Sequence, residues 1–364
     1  MFYDYDTKCL MKNLMFICLI VCIFTCNNLW AQTPKTEFRG FGHIEYALDF
    51  VNPQKPDSYF ILGEHDLFVQ SKITKRFSYL GEFVIRYNAG SATKFLPSIE
   101  RTLVKYCYHN NHSVIFGKIH TPVNYWNDSY HHGRVFYPII SRPLAFSHFV
   151  PLHTIGMQVQ GQNIGKWNFG YDVVIGNGIS STDIFDSNSS PGIAAAIHFK
   201  PIEGMRIGAS YYFNHMDQNG YGSHSGHTMP AVSNYRGPMD FHLNSLSIAY
   251  FGDKFELLSE SSRNFTKTDT LGLSSNYSTF FYLGYKIKEK HVPMVMVDYI
   301  NISKNDLHST PMEMLKLGLG YRHEFSHLLN VKGMLEYYFK HQHPNGVGPQ
   351  TNYFAIELQL AYGF

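Results

Sequence analysis

The chain has 364 residues and a formal charge of only +2 at pH 7, which leaves no basic footprint for nucleic acid. Aromatic residues supply 16% of it and charged residues no more than 16%, less charge than an ordinary soluble surface carries but enough for a wall that faces lipid. Beyond residue 31 no run approaches ~20 consecutive apolar positions, which excludes a membrane-spanning helix there.

Met11, Lys12 and Asn13 precede an apolar run over 14–26, and Leu29, Trp30 and Ala31 stand ahead of Gln32. One positive charge, a short apolar stretch and a small residue at the end read as a secretory signal peptide over 1–31. Asp4 and Asp6 suit such a leader poorly, so translation is expected to start at Met11. The run is shorter than the ~20 residues a helix needs to cross a bilayer, which disfavours a retained anchor, and Thr25 before Cys26 disfavours a lipoprotein. Cys9, Cys18, Cys22 and Cys26 fall in or before this segment, so the mature chain keeps Cys107 alone and forms no internal disulfide.

From residue 38 the sequence alternates with a period of two, the mark of strands with two unlike faces. In 38–50, Phe38, Ile44, Tyr46, Leu48 and Phe50 share one face, and Arg39, His43, Glu45 and Asp49 the other. In 60–73, Ile61, Leu67 and Val69 oppose Glu64, Asp66 and Gln70; in 77–88, Phe77, Phe83 and Ile85 oppose Glu82 and Arg86. The pattern recurs over 98–108, with Arg101 and Lys105 on the polar face, then 113–120, 153–162, 167–176, 192–199 and 205–214. It continues through 242–251, 255–263, 277–287, 292–302, 312–322, 329–340 and a final strand in 350–364. About sixteen strands result, within about two, because boundaries are the least certain part of such a reading.

Every second connection is short, as at residues 74, 109, 163, 200, 251, 288 and 323. The others are long: 51–59, 89–97, 121–152, 177–191, 215–240, 264–276, 303–311 and 341–349. Short turns at one end and long loops at the other describe an all-β, antiparallel, up-and-down transmembrane barrel over 32–364, with both termini on the short-turn, periplasmic side. A closed barrel also bonds every backbone amide within lipid. A soluble β-sandwich alternates similarly, but here the outward face is aliphatic or aromatic on nearly every strand and no stretch reads as a linker.

A sixteen-strand cylinder leaves a lumen rather than a plug of side chains, so charges on the polar face are candidates for lining a channel. The connection over 120–152 is the longest, and its Trp126, Tyr130, Phe136, Tyr137, Phe146 and Phe149 need a surface to pack on; the barrel interior is the nearest. Structured loops of this length usually carry function. If it folds inward, Asp128, His131, His132, Arg134 and Arg142 face Arg39, Arg86, Arg101 and Lys105, with Lys118 and His120 at its entry, and set a transverse field.

The strand count, the step from Phe116 to Pro122, the long third external loop and the terminal Phe364 together resemble the general and phosphate-selective porins of bacterial outer membranes. That resemblance implies a third loop that constricts the lumen, an outer-membrane location and contact with membrane lipid. It also brings an association of three barrels into view, while the lysine-rich track of a strong phosphate porin is not evident. The expected function is passive diffusion of small hydrophilic solutes with mild anion preference, without cofactor or metal. Two alternatives stand beside it: a plugged barrel that binds or adheres through its external loops, and an outer-membrane enzyme acting on lipid. No nucleophile elbow or phosphate loop supports the enzyme. His224 and His227, near His215, have the spacing of a metal pair, but read as loop composition.

Overall fold

A computed structural model describes residues 35–87, 93–131, 133–148, 150–179, 189–216, 237–309, 311–341 and 352–364. The segment read as a signal peptide lies outside these residues, as do His132, Phe149, His224 and His227. Sixteen strands follow in order: β1 (Lys35–Asp49), β2 (Asp57–Lys72), β3 (Phe77–Tyr87), β4 (Phe95–His109), β5 (His112–His120), β6 (His153–Ile164), β7 (Phe169–Gly176) and β8 (Gly192–Phe199). The second half comprises β9 (Met205–Met216), β10 (Met239–Phe251), β11 (Phe255–Thr268), β12 (Gly272–Tyr285), β13 (His291–Ile302), β14 (Met312–Ser326), β15 (Leu329–His341) and β16 (Tyr353–Gly363). Each pairs with its sequence neighbours, and β16 returns to β1, so the sheet closes into one antiparallel barrel without an edge. This is the up-and-down barrel that the alternation implies.

Closure runs from Phe41 opposite Gly363 to Asp49 opposite Ala355, and Gly40 and Phe364 exchange both backbone hydrogen bonds at 2.9 Å. Gly40 leaves room there for the Phe364 ring, since a Cβ built on it would fall 2.1 Å from the ring and push it aside. Along each strand the alternation becomes an outside and an inside. On β13, Val295 and Val297 are each 40% exposed on the outer face, whereas Met294, Met296, Asp298 and Ile300 are buried inside. Exposed Phe, Tyr, Leu, Ile and Val recur around the outside from Phe38 to Leu360, an apolar belt of the kind a membrane barrel shows to lipid. No helix among the described residues is long and apolar enough to cross a membrane; the strands make the crossing.

Two local readings are corrected. The stretch 264–276 is strand rather than long loop, since β11 reaches Thr268 and β12 starts at Gly272. Its inward positions Asn264, Thr266, Ser274 and Asn276 are polar and buried, with Asn276 Nδ2 donating to Asn264 Oδ1 at 2.7 Å and Thr266 Oγ1 to Asp306 Oδ2 at 3.2 Å. A strand whose hidden face is polar resembles a loop when hydrophobicity is the guide. In β2, a register shift opposite Gly42 and Ile44 leaves Phe60 and Leu62, rather than Ile61, exposed on the outside, because a one-residue slip moves a side chain to the other face.

The hydrophobic core lies inside the barrel. Phe241, Leu243, Leu258, Phe280, Tyr282, Met294 and Met296 form an apolar inner wall on β10 to β13, and the chain between β5 and β6 packs on it with Val123, Trp126, Tyr137, Ile139, Ile140 and Phe146. That connection contains two short helices, α1 (Tyr125–Tyr130) and α2 (Leu144–His148), with a 3-10 turn over Arg134–Phe136 between them.

Candidate functional site in the barrel lumen

The connection from β5 to β6 is held across the lumen by groups on the far wall. Asn124 sits at φ 65, a backbone state that Asn tolerates better than most residues, and there the chain turns onto Glu260 of β11. Trp126 N donates to Glu260 Oε2 at 3.2 Å, Asn124 Nδ2 to Oε1 at 2.9 Å, and Tyr125 N also to Oε2. α2 begins in the same way on β13, where Leu144 N donates to Asp298 Oδ2 at 2.7 Å. Two wall carboxylates thus satisfy donors that short helices leave unpaired at their starts.

Between the helices, Ser141 Oγ donates to Glu336 Oε1 at 3.0 Å, and two wall cations and one wall amide reach loop carbonyls: Arg322 to Pro138 at 3.0 Å, Lys332 to Arg134 at 2.6 Å and Asn330 Nδ2 to Val135 at 2.6 Å. Each such bond contributes roughly 1 kcal/mol net, and more where one partner is charged. Trp126, 1% exposed, lies edge-on to Phe280 at 5.6 Å and to Tyr137 at 5.1 Å between ring centroids.

On the opposite wall, acids and bases alternate. Arg86 Nε lies 3.0 Å from Glu64 and its Nη2 2.8 Å from Glu100, while the loop's Arg142 reaches Glu64 at 2.9 Å. Arg101 pairs with Glu82. Burial opposes the charge on Arg142, but the Glu64 carboxylate outweighs it and holds the guanidinium above its ordinary range. Arg134 turns inward instead, donating to Ile140 O at 2.7 Å with its guanidinium 5.0 Å from the Tyr137 ring centre.

The residues singled out by sequence therefore fall into separate groups. Arg86, Arg101 and Arg142 belong to the ion-pair array, and Asp128 joins Arg206 of β9 at 2.6 Å. Lys105 lines a cavity at the short-turn end. Arg39 stands at the same rim, paired with Glu37 at 3.5 Å with its side chain 61% exposed. Lys118 lies opposite Thr102 in the ladder and donates to Ile99 O at 2.8 Å, apart from the array. The carboxylates Glu64, Glu82, Glu100 and Glu260 organise the lumen without having been singled out as lining it, and they act together with Asp298 and Glu336, which the alternation already turns inward as candidate lining charges. Alternation places Glu64 and Glu82 inward, but nothing local says which base each meets.

Two cavities open at the short-turn end on either side of α1. One, about 750 Å³, is lined by Lys35, Lys72, Lys75, Arg76, Arg101 and Lys105 against Glu37 and Asp128. The other, about 770 Å³, has Lys166, Lys200 and Arg206 against Glu203, with Tyr125, Ser129 and Tyr130 of α1 on its inner side. Both are basic, and the Asp128–Arg206 bridge stands between them.

A third grouping joins His120 at the end of β5, His153 at the start of β6 and His131 just after α1. His120 and His131 stack at 3.9 Å between ring centroids, and His153 lies 4.4 Å from His131 and 4.9 Å from His120. One ring nitrogen of each falls within 4.8 Å of the others, close enough for the three to hold a metal ion together.

No family model matches the chain, and no curated protein matches it. Solved structures do. The anion-selective porin from Comamonas acidovorans is 11% identical with a TM-score of 0.65, over 91% of this chain and 100% of that one. OmpF of Salmonella typhi is 10% identical with a TM-score of 0.61, over 91% and 98%. The outer membrane channel DcaP of Acinetobacter baumannii is 10% identical with a TM-score of 0.59, over 92% and 99%. The trimer form of OmpT, an outer membrane protein of Vibrio cholerae, is 10% identical with a TM-score of 0.63, over 92% and 100%. The fold is that of outer-membrane porins.

Proposed function

We propose that the chain forms a narrow diffusion channel for small hydrophilic solutes in an outer membrane, with the segment between β5 and β6 as its filter and a preference for anions. The observation that carries the selectivity is the charge of the two cavities flanking α1: six bases face two acids in one, and three face one acid in the other. Along the β2 to β4 wall, by contrast, guanidiniums and carboxylates cancel. Selection then comes from the field at the short-turn mouth, which concentrates anions before they reach the filter. The anion-selective porin among the structural neighbours supports the same reading, and the trimer form of the Vibrio protein supports an association of three barrels. The channel is passive, and the proposal assigns no catalytic residue.

A second reading, a plugged barrel that works through its external loops, draws on how completely the loop buries Trp126, Tyr137, Ile139 and Ile140 against the wall. Planar-bilayer recording separates the two. Stable open steps whose reversal potential in a KCl gradient reports anion preference support the channel. A folded but silent barrel supports the second reading, and cation preference refutes the selectivity proposed here.

A further inference from the structure

We propose that His120, His131 and His153 form a binding site for a divalent transition-metal cation of the zinc class, which ties the loop to both strands from which it springs. The three rings come from three segments. His120 and His153 face each other across the ladder at the last pair of β5 and β6, and His131 folds back onto them at the end of α1. No metal spacing is visible in sequence, because the partners lie on either side of a long connection.

The hydrogen bonds decide which nitrogen of His131 is available. Asn127 Nδ2 donates to Thr121 O at 2.9 Å, to Thr121 Oγ1 at 3.1 Å and to Leu152 O at 3.2 Å. Three acceptors on that side fix the amide, so the Asn127 oxygen is the atom that meets His131 Nδ1 at 2.6 Å. An oxygen acceptor requires Nδ1 to carry the proton, and in the neutral ring Nε2 then keeps the lone pair that a metal needs.

Carboxylates stand behind the other two rings. Glu100 Oε2 is 3.2 Å from His153 Nε2 and Glu82 Oε2 is 4.0 Å from His120 Nε2, and both acids are almost fully buried. Neither contact has hydrogen-bond geometry, so these acids place negative charge beside the two rings rather than orienting them, and the oriented ring is that of His131. Each acid also meets an arginine, Glu100 with Arg86 and Glu82 with Arg101, so the surroundings hold the rings without an excess of positive charge beside them.

Three neutral imidazoles suit zinc, copper or nickel better than magnesium or calcium. A tetrahedral zinc with nitrogens at about 2.0–2.1 Å sets them about 3.3 Å apart, so the rings draw in from the 4.8 Å limit by side-chain rotation. His120 lines the basic cavity at the short-turn end, which gives a direction for a fourth, exchangeable ligand.

The test uses the full mature chain folded in detergent, stripped with a chelator and titrated with zinc chloride by calorimetry, alongside cobalt(II) absorption as a report of tetrahedral nitrogen coordination. We expect one site per chain. His131→Asn should weaken it at least tenfold, and Asn127→Leu, which removes the orienting oxygen, about tenfold or more. Replacing the loop residues His215, His224 and His227 together should leave it unchanged. Heat-modifiable migration confirms that each variant is folded, and His120→Gln takes the place of His131→Asn if that chain does not fold. Absence of saturable binding, or binding kept in His131→Asn and lost with the three loop histidines, overturns the proposal. The readout is independent of whether the barrel conducts.

Discussion

Replacing Glu260 with Ala takes away the wall carboxylate on which α1 begins. Asn124 Nδ2 keeps a second acceptor, Ser262 Oγ at 3.1 Å, but the backbone N–H groups of Tyr125 and Trp126 lose the oxygen they share. A buried donor left without a partner costs about 1–3 kcal/mol, so the two together weaken docking of the loop by about 3 kcal/mol. At 1.4 kcal/mol per decade this raises the population of the released loop by about two orders of magnitude. Planar-bilayer recording should show larger and noisier open steps, and limited proteolysis of the detergent-folded barrel should cut within 120–152 much faster. Glu260→Gln retains one carbonyl oxygen and should fall between the two. Wild-type conductance and wild-type protection in Glu260→Ala, with the barrel folded, would refute the view that this carboxylate holds the filter in place.

Trp126→Ala leaves a cavity where the ring meets Phe280 and Tyr137 and should destabilise loop packing by about 3–5 kcal/mol, read as a lower temperature for loss of heat-modifiable migration and as faster loop cleavage; unchanged values for both would count against a core inside the barrel. Acidification should loosen the inward loops. Burial lowers the affinity of His148 and His308 for a proton, His308 to about 4, and Ser309 Oγ links the two segments by donating to His148 O at 3.2 Å. Because the docked state binds these protons less readily than the released state, docking is fully stable above about pH 6.5 and weakens as pH falls toward 4, by at most about 3 kcal/mol for His308. Asp306, raised by its own burial, works in the opposite direction, so His308→Gln, which keeps Asp306, isolates the histidine. Hydrogen-exchange protection in 303–309, corrected for the intrinsic slowing of exchange at lower pH, should fall between pH 7 and 5 in the native chain and less in the variant, and equal response in the two would remove His308 as the cause.

Much of the barrel is legible in residue order because a strand shared between lipid and lumen must alternate, and a membrane leaves no third environment. Phe354, Ile356, Leu358 and Leu360 set against Ala355, Glu357 and Gln359 already define the faces of β16, and the short turns give its neighbours. Alternation fails where its assumption fails. The inner face of β13 carries Met294, Met296 and Ile300 because another part of the chain covers it, and 264–276 looks like a loop because its buried face is Asn, Thr and Ser.

Tertiary structure alone decided the pairing inside the lumen. Composition names the arginines, but only the closed cylinder brings Arg142 to Glu64 across a sequence separation of 78 residues, or places Glu260 under α1. His153 carries no mark in its own segment until the ladder sets it opposite His120. Strand faces follow from neighbours two positions away, whereas contacts across a barrel depend on register, closure and the path of a loop that no local pattern encodes.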